Sequence, residues 1–167
     1  RRMPRVELCS LSHRIRIHAH LECGETVARL VQALEDLAPD FETEQLKLFE
    51  PQYRLARAIS RAYAALARRD ADEAERELEC AQVLVHQLHR GHDDLTVKML
   101  RAVARWLRQS PDALPLLMEA ARLAELGGKV RGLADIHPLV RQMWASLAAP
   151  APAPAPAPEE PAGEGDD

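Results

Sequence analysis

Apolar residues recur at three- and four-residue spacing along most of the chain, and no stretch alternates in the manner of a strand. The pattern predicts a first helix over about residues 5–21, with Val6, Leu8, Leu11, Ile15 and Ile17 as its apolar positions, broken at Cys23-Gly24. A second helix runs from about Glu25 to Ala38, with Val27, Leu30, Val31, Leu34 and Leu37 inward, and Pro39 stops it. The third starts near Thr43 or Glu44 and continues to about Arg68. At Pro51 it either kinks, or a short helix ends at Phe49 and a new one starts with Pro51 at its first position. Asp70 caps a fourth helix that reaches about His89 and ends at Gly91. A fifth covers about Asp93 to Arg108. A sixth opens at Ser110-Pro111-Asp112, with an N-cap serine, a first-turn proline and an acid against the positive helix end, and stops at Gly127-Gly128. The last runs from about Asp135 to Ala148.

Two stretches share one helix-pair pattern, AYAALARRDADEAERELECA (62–81) and RAVARWLRQSPDALPLLMEA (101–120), offset by 39 residues. Ala74 and Ala81 in the first copy match Ala113 and Ala120 in the second, and each pair lies seven residues apart. Alanines at that spacing stack on one helix face and let two backbones approach closely. Stacked helical hairpins need such contacts, because each repeat buries its apolar face only against its neighbours. Residues 1–50 follow the pattern less well: Ala28 takes the place of Ala74, but Glu35 stands where Ala81 would. The expected fold is therefore all-α, an α-solenoid of six to seven helices in antiparallel pairs over residues 1–148. A disordered, Pro/Ala-rich acidic linker follows over 149–167.

Composition narrows this further. Hydrophobic residues make up 47% of the chain but aromatics only 4%, so the core must be built from Leu, Ala and Val. That suits closely packed helices better than a sandwich or barrel. The net charge of −4 is concentrated in the tail, where residues 149–167 hold five acids and no Lys or Arg. Without those five, 22 basic residues face 21 acidic ones, and nothing in the balance calls for nucleic acid or a membrane. Cys9, Cys23 and Cys80 form no CxxC pair and no disulfide framework, which points to a reducing cytoplasm. No run approaches the ~20 apolar residues of a membrane span. The chain enters a helix almost at once without an initial Met, and is expected to be part of a longer one.

Candidate chemistry is sparse. His86 and His89 share a helical face, but His92 lies beyond the Gly91 break and no further ligand completes a metal set, so no metal is expected. Cys9 and His13 are four apart without a third partner and read as structural. Gly127-Gly128-Lys129 is no phosphate loop: Leu123 stands where a glycine is required, and Val130 where a Ser or Thr is. With no paired acids and no nucleophile beside a base, the chain is not expected to be an enzyme and needs no cofactor. Tyr63, Trp106 and Trp144 sit among Leu and Ala as packing residues. The one placed feature is basic. Lys98, Arg101, Arg105 and Arg108 follow one helix face, and Arg54, Arg57 and Arg61 repeat the theme on the matching helix of the preceding pair. On the inner faces of first-of-pair helices, these guanidinium groups would hold an anionic effector or an acidic surface. The alternative is a set of solvated faces with intrahelical pairs.

The segment ALPLLMEAARLAELGGKVRGLADIHPLVRQMW (113–144) resembles the last repeats of the large MalT-like regulators of the LuxR class. The residues that carry the likeness are Leu123–Gly128, a hairpin end with glycine, and Leu133–Pro138, a short Leu-x-Asp segment before a closing helix. The stretch 62–81 is similar to the tetratricopeptide-like repeats of the same proteins. The resemblance implies an effector-sensing and coupling repeat region of a bacterial transcriptional regulator. Its partners would be a small-molecule inducer or protein effector, other domains of the same polypeptide and further copies of the chain. DNA would be reached only through a helix-turn-helix domain outside these residues. The alternative is a stand-alone helical-repeat scaffold or adaptor working through protein–protein contacts.

Overall fold

The computed structural model describes residues 3–128 and 130–148; the Pro/Ala-rich segment 149–167 lies outside them. It is all-helical, with no strand among the described residues. The elements are α1 (Pro4–His20), α2 (Gly24–Glu35), a short α3 (Ala38–Glu42), a 3-10 turn at Lys47–Phe49, α4 (Glu50–Ala67), α5 (Ala71–Leu88), α6 (Gly91–Leu107), α7 (Ala113–Leu126), a 3-10 segment Val130–Asp135, and α8 (Leu139–Ala148). The pairs α1/α2, α4/α5 and α6/α7 form three successive helical hairpins. α4 packs on α1 and α2, α6 packs on α5, and α8 reaches back to α6.

Four tight turns are built alike. Each helix ends in a residue with left-handed backbone: Glu22 (φ 55°), Arg69 (φ 59°), His89 (φ 51°) and Gln109 (φ 56°). Two hydrogen bonds close each turn. After α4, for example, Asp70 N–H donates to Ala65 O at 2.9 Å and Arg69 N–H to Leu66 O at 3.0 Å. This is the Schellman motif, in which orphan carbonyls of the last helical turn are satisfied by the chain leaving it. The Asp70 carboxylate then accepts from Glu73 N–H at 2.9 Å and caps α5.

Several boundaries differ from the sequence expectation. Pro39 does not simply stop the second helix. α2 ends at Glu35, and Pro39 lies in the first turn of α3, where its missing N–H costs nothing. α3 is anchored by Phe41, whose ring stacks on Tyr53 at 4.8 Å. Pro51 likewise lies in the first turn of α4, after a separate 3-10 turn, so the second of the two alternatives holds. Gly91 opens α6 rather than breaking the chain, because the left-handed residue is His89. α7 starts at Ala113 behind Asp112, later than the serine signal suggested. His137-Pro138 precede α8 and are not part of it.

The core is the expected Leu/Ala/Val core. Ala74, Ala81, Ala113 and Ala120 are all buried. The first hairpin departs from the expected register by one residue: Ala28 is exposed, while Val27 and Leu34, seven apart, are buried. Val27 stands five residues past the left-handed Glu22, as Ala74 stands five past Arg69. Val6 and Ile17 are exposed on α1, where Leu8, Leu11, Ile15 and Ala19 face inward. Ala81 and Ala120 are fully covered, so replacing either with Leu should overpack its surroundings and destabilise by about 1–3 kcal/mol in chemical denaturation. An unchanged midpoint would mean those surroundings can open.

Candidate functional site

The basic stripes do not form an open face. Arg61 of α4 reaches two neighbours, Glu35 at the end of α2 (Nε to Oε1, 2.6 Å) and Glu77 of α5 (3.2 Å). Arg101 of α6 holds Glu75 of α5 through Nε at 3.1 Å and Nη2 at 2.8 Å, and Arg105 joins the same carboxylate at 3.4 Å. Lys98 meets Glu119 of α7 at 2.9 Å, and Arg108 meets Asp72 at 3.2 Å. Arg54 pairs within its own helix with Glu50 at 3.9 Å, and Arg57 lies 6.0 Å from the Tyr53 ring. The candidate contacts Arg61, Lys98, Arg101 and Arg105 are thus joined to carboxylates on neighbouring helices. They act as links between helices. Their acidic partners escaped the sequence reading because they sit on different helices. Spacing within one helix cannot reveal them.

A second constellation lies at the other side of α4. The carbonyl of Ile136 accepts two hydrogen bonds: Tyr63 Oη donates at 3.0 Å and His20 Nε2 at 2.7 Å. The His20 ring meets both the Tyr63 and the His137 rings edge-on, each at 5.9 Å between centroids. His137 is 7% exposed, and its Nδ1 accepts from Leu139 N–H at 3.2 Å, which fixes a neutral tautomer. Burial, together with the neighbouring His20, pushes the His137 imidazole down to about 4. Burial also lowers His20, against the opposing pull of the Ile136 carbonyl, and raises the Tyr63 hydroxyl. α1, α4 and the segment before α8 are thereby joined across 116 and 73 residues of sequence. None of this is periodic, so helical spacing gave no sign of it.

Beside this node opens a cavity of 590 Å³, within the range of small-molecule sites. Its walls come from the C-terminal ends of α1, α4 and α6, the start of α7 and the His137–Gln142 stretch. Leu66, Trp106, Leu107 and Leu114 supply apolar surface; Glu22, Arg69, Gln109 and Ser110 supply polar groups. Trp106, read from sequence as packing, is only partly buried and lines this space. A smaller cavity of 350 Å³ lies between α1, α4 and the start of α6, where Ser12 Oγ and Gln52 Oε1 are buried without hydrogen-bond partners. Cys9 and His13 line it, and Cys9 is exposed. Cys23 and Cys80 are exposed as well. Among the described residues no three His, Cys, Asp or Glu side chains gather as a metal site, and no helix is long and apolar enough to cross a membrane.

Comparison with known proteins gives no match to a family model, a curated protein or a solved structure.

Two outcomes follow from this geometry. The unfolded His137 imidazole takes a proton near its ordinary value of 6.5, while the folded one resists to about 4. Stability is therefore full above that window and is lost as pH falls through it. The chain should be about 2 kcal/mol less stable at about pH 5 than at about pH 7.5 on this account. His137→Asn, which keeps an acceptor for Leu139 N–H, should remove that part of the slope in urea denaturation. Glu75→Gln should strip Arg101 and Arg105 of their shared counter-charge. It should cost about 1–3 kcal/mol, far more than Glu50→Gln at the exposed Arg54 pair.

Proposed function

We propose that this chain is the effector-sensing and coupling repeat region of a cytoplasmic transcriptional regulator of the MalT-like LuxR kind, with the 590 Å³ cavity as its effector site. One observation carries the reading: a single cavity is walled by all three hairpins and by the segment that leads into the Pro/Ala-rich linker. A ligand there touches the repeats and the exit of the chain at once. Binding one arrangement better than another shifts the population between them, and a difference of about 1–3 kcal/mol changes affinity or output about 5–150-fold. The Tyr63–Ile136–His20 node is the element that couples ligand to linker. Arg61, Arg101 and Arg105 transmit between hairpins and do not contact the effector. The regulator class rests on the resemblance of residues 113–144, and DNA is reached through a domain outside this chain.

An adaptor reading draws on α7, whose outer face exposes Met118, Leu123 and Leu126. Ala67→Trp separates the two. Ala67 is only partly buried and lines the cavity, so an indole there fills the space without entering the core. A sensor with a filled cavity should lose its response: across several growth conditions, a strain carrying Ala67→Trp in the full-length protein should show one fixed transcript profile. A profile that follows the unaltered strain in every condition, at equal protein level, would reject sensing through this cavity. An adaptor would behave in that way.

A further inference from the structure

Three of the four Schellman turns deliver their left-handed residue to the same place. Glu22, Arg69 and Gln109, one from each hairpin, all line the large cavity; the fourth, His89, lies away from it. Glycine is the ordinary occupant of this backbone position, because any Cβ is disfavoured there. Each of the three turns instead carries a long polar side chain, which glycine would remove. Backbone strain of this kind clusters at functional sites.

Two opposite charges without an ion pair line this one cavity. Arg61, Arg68, Arg90, Arg101, Arg105 and Arg108 each hold a carboxylate. Among the described residues, Arg69 and Glu22 hold none. One free guanidinium and one free carboxylate therefore stand at the rim of a cavity floored by Leu66, Trp106, Leu107 and Leu114. Neither a purely apolar ligand nor a simple anion would use both charges.

We propose that the cavity binds a zwitterion with an apolar body, an apolar amino acid or short peptide. The ligand's carboxylate lies on Arg69 and its ammonium on Glu22, and its side chain packs against Trp106 and Leu107. Gln109 supplies neutral hydrogen bonds between the charged ends. Guanidinium–carboxylate pairing and a charge-assisted ammonium contact fix the two ends. The apolar wall selects the side chain that branches from them. The proposal rests on the cavity being the effector site and adds the chemistry of the ligand.

The test uses the full 167-residue chain, ¹⁵N-labelled and titrated to millimolar concentration with leucine, phenylalanine, the dipeptide Leu-Phe, and Leu-Phe blocked as its N-acetyl or C-terminal amide form. At least one free zwitterion should shift the amides of Glu22, Arg69 and Gln109 and the indole of Trp106. Leucine or phenylalanine against Leu-Phe distinguishes an amino acid from a peptide. Blocking either end of the dipeptide should weaken binding tenfold or more. Arg69→Gly should raise the melting temperature, since it relieves the left-handed strain, and yet weaken binding of the zwitterion tenfold or more. His89→Gly, in the same turn away from the cavity, should raise the melting temperature and leave binding unchanged. Stabilisation with loss of binding is an outcome that a merely structural role for Arg69 would not give. Equal binding of free and blocked dipeptides, full binding by Arg69→Gly, or no shift with any of the probes would each overturn the proposal. If no probe binds while Ala67→Trp fixes the transcript profile, the ligand class is wrong and sensing stands. If the zwitterions bind and Ala67→Trp changes nothing in cells, the ligand class stands and sensing fails.

Discussion

The distance at which two helices can cross governs this molecule. With aromatics at 4% of the chain, bulk cannot fill gaps between helices, so the helices must come close. Fully covered alanines at Ala62, Ala65, Ala74, Ala81, Ala102, Ala104 and Ala120 permit it. Close approach then sets what else is possible. A short turn between packed helices has little slack, and each of the four carries a left-handed residue at its corner. Arginines on one helix come within reach of carboxylates on the next. The larger cavity lies where this close packing is relieved at the ends of the helices, and the smaller one opens between the faces of α1 and α4.

The distribution of charge follows from the same geometry. A folded region with nearly balanced charge could scatter it over the surface, where isolated pairs contribute little. Here the charges are concentrated along seams. Glu75, with 14% of its side chain accessible, gathers two guanidinium groups from α6, and Arg61 spans α2, α4 and α5. Partly dehydrated pairs of this kind fix the relative setting of neighbouring helices, because removing one partner leaves the other uncompensated. The seams and the cavity also occupy different regions: none of the paired stripe arginines lines the 590 Å³ space.

Much of the fold was legible because helices declare themselves locally. The 3.6-residue rhythm located α1, α5 and α6 within a few residues, and the seven-residue alanine spacing identified buried positions at 74, 81, 113 and 120. Errors fell where one residue type has two uses. Pro39 and Pro51 both lie in the first turn of a helix, and a proline that reads as a stop for one element also suits the start of the next. Gly91 drew attention as a helix stop because glycine usually fills the left-handed position that His89 holds here. Ala28 was placed one residue out of register because the first hairpin uses Val27 and Leu34 in place of alanines. The candidate site was barely legible. The arginine stripes are genuine alignments, but only three dimensions show which carboxylates face them. His20, Tyr63, Trp106 and His137 are scattered over 118 positions, with no pattern that joins them.

The shared carbonyl of Ile136 also has a consequence for synthesis. As the chain leaves the ribosome, α1 and α4 are complete long before their common acceptor exists. Tyr63 must wait for 73 further residues. At ordinary elongation rates of 5–20 residues per second, that is roughly 4–15 s during which a hydroxyl and an imidazole destined for the interior stay in water. The early hairpins can stack in turn as they emerge, each on its predecessor. This contact closes only once Ile136 has emerged, and from then on α1, α4 and the segment before α8 stand or fall together.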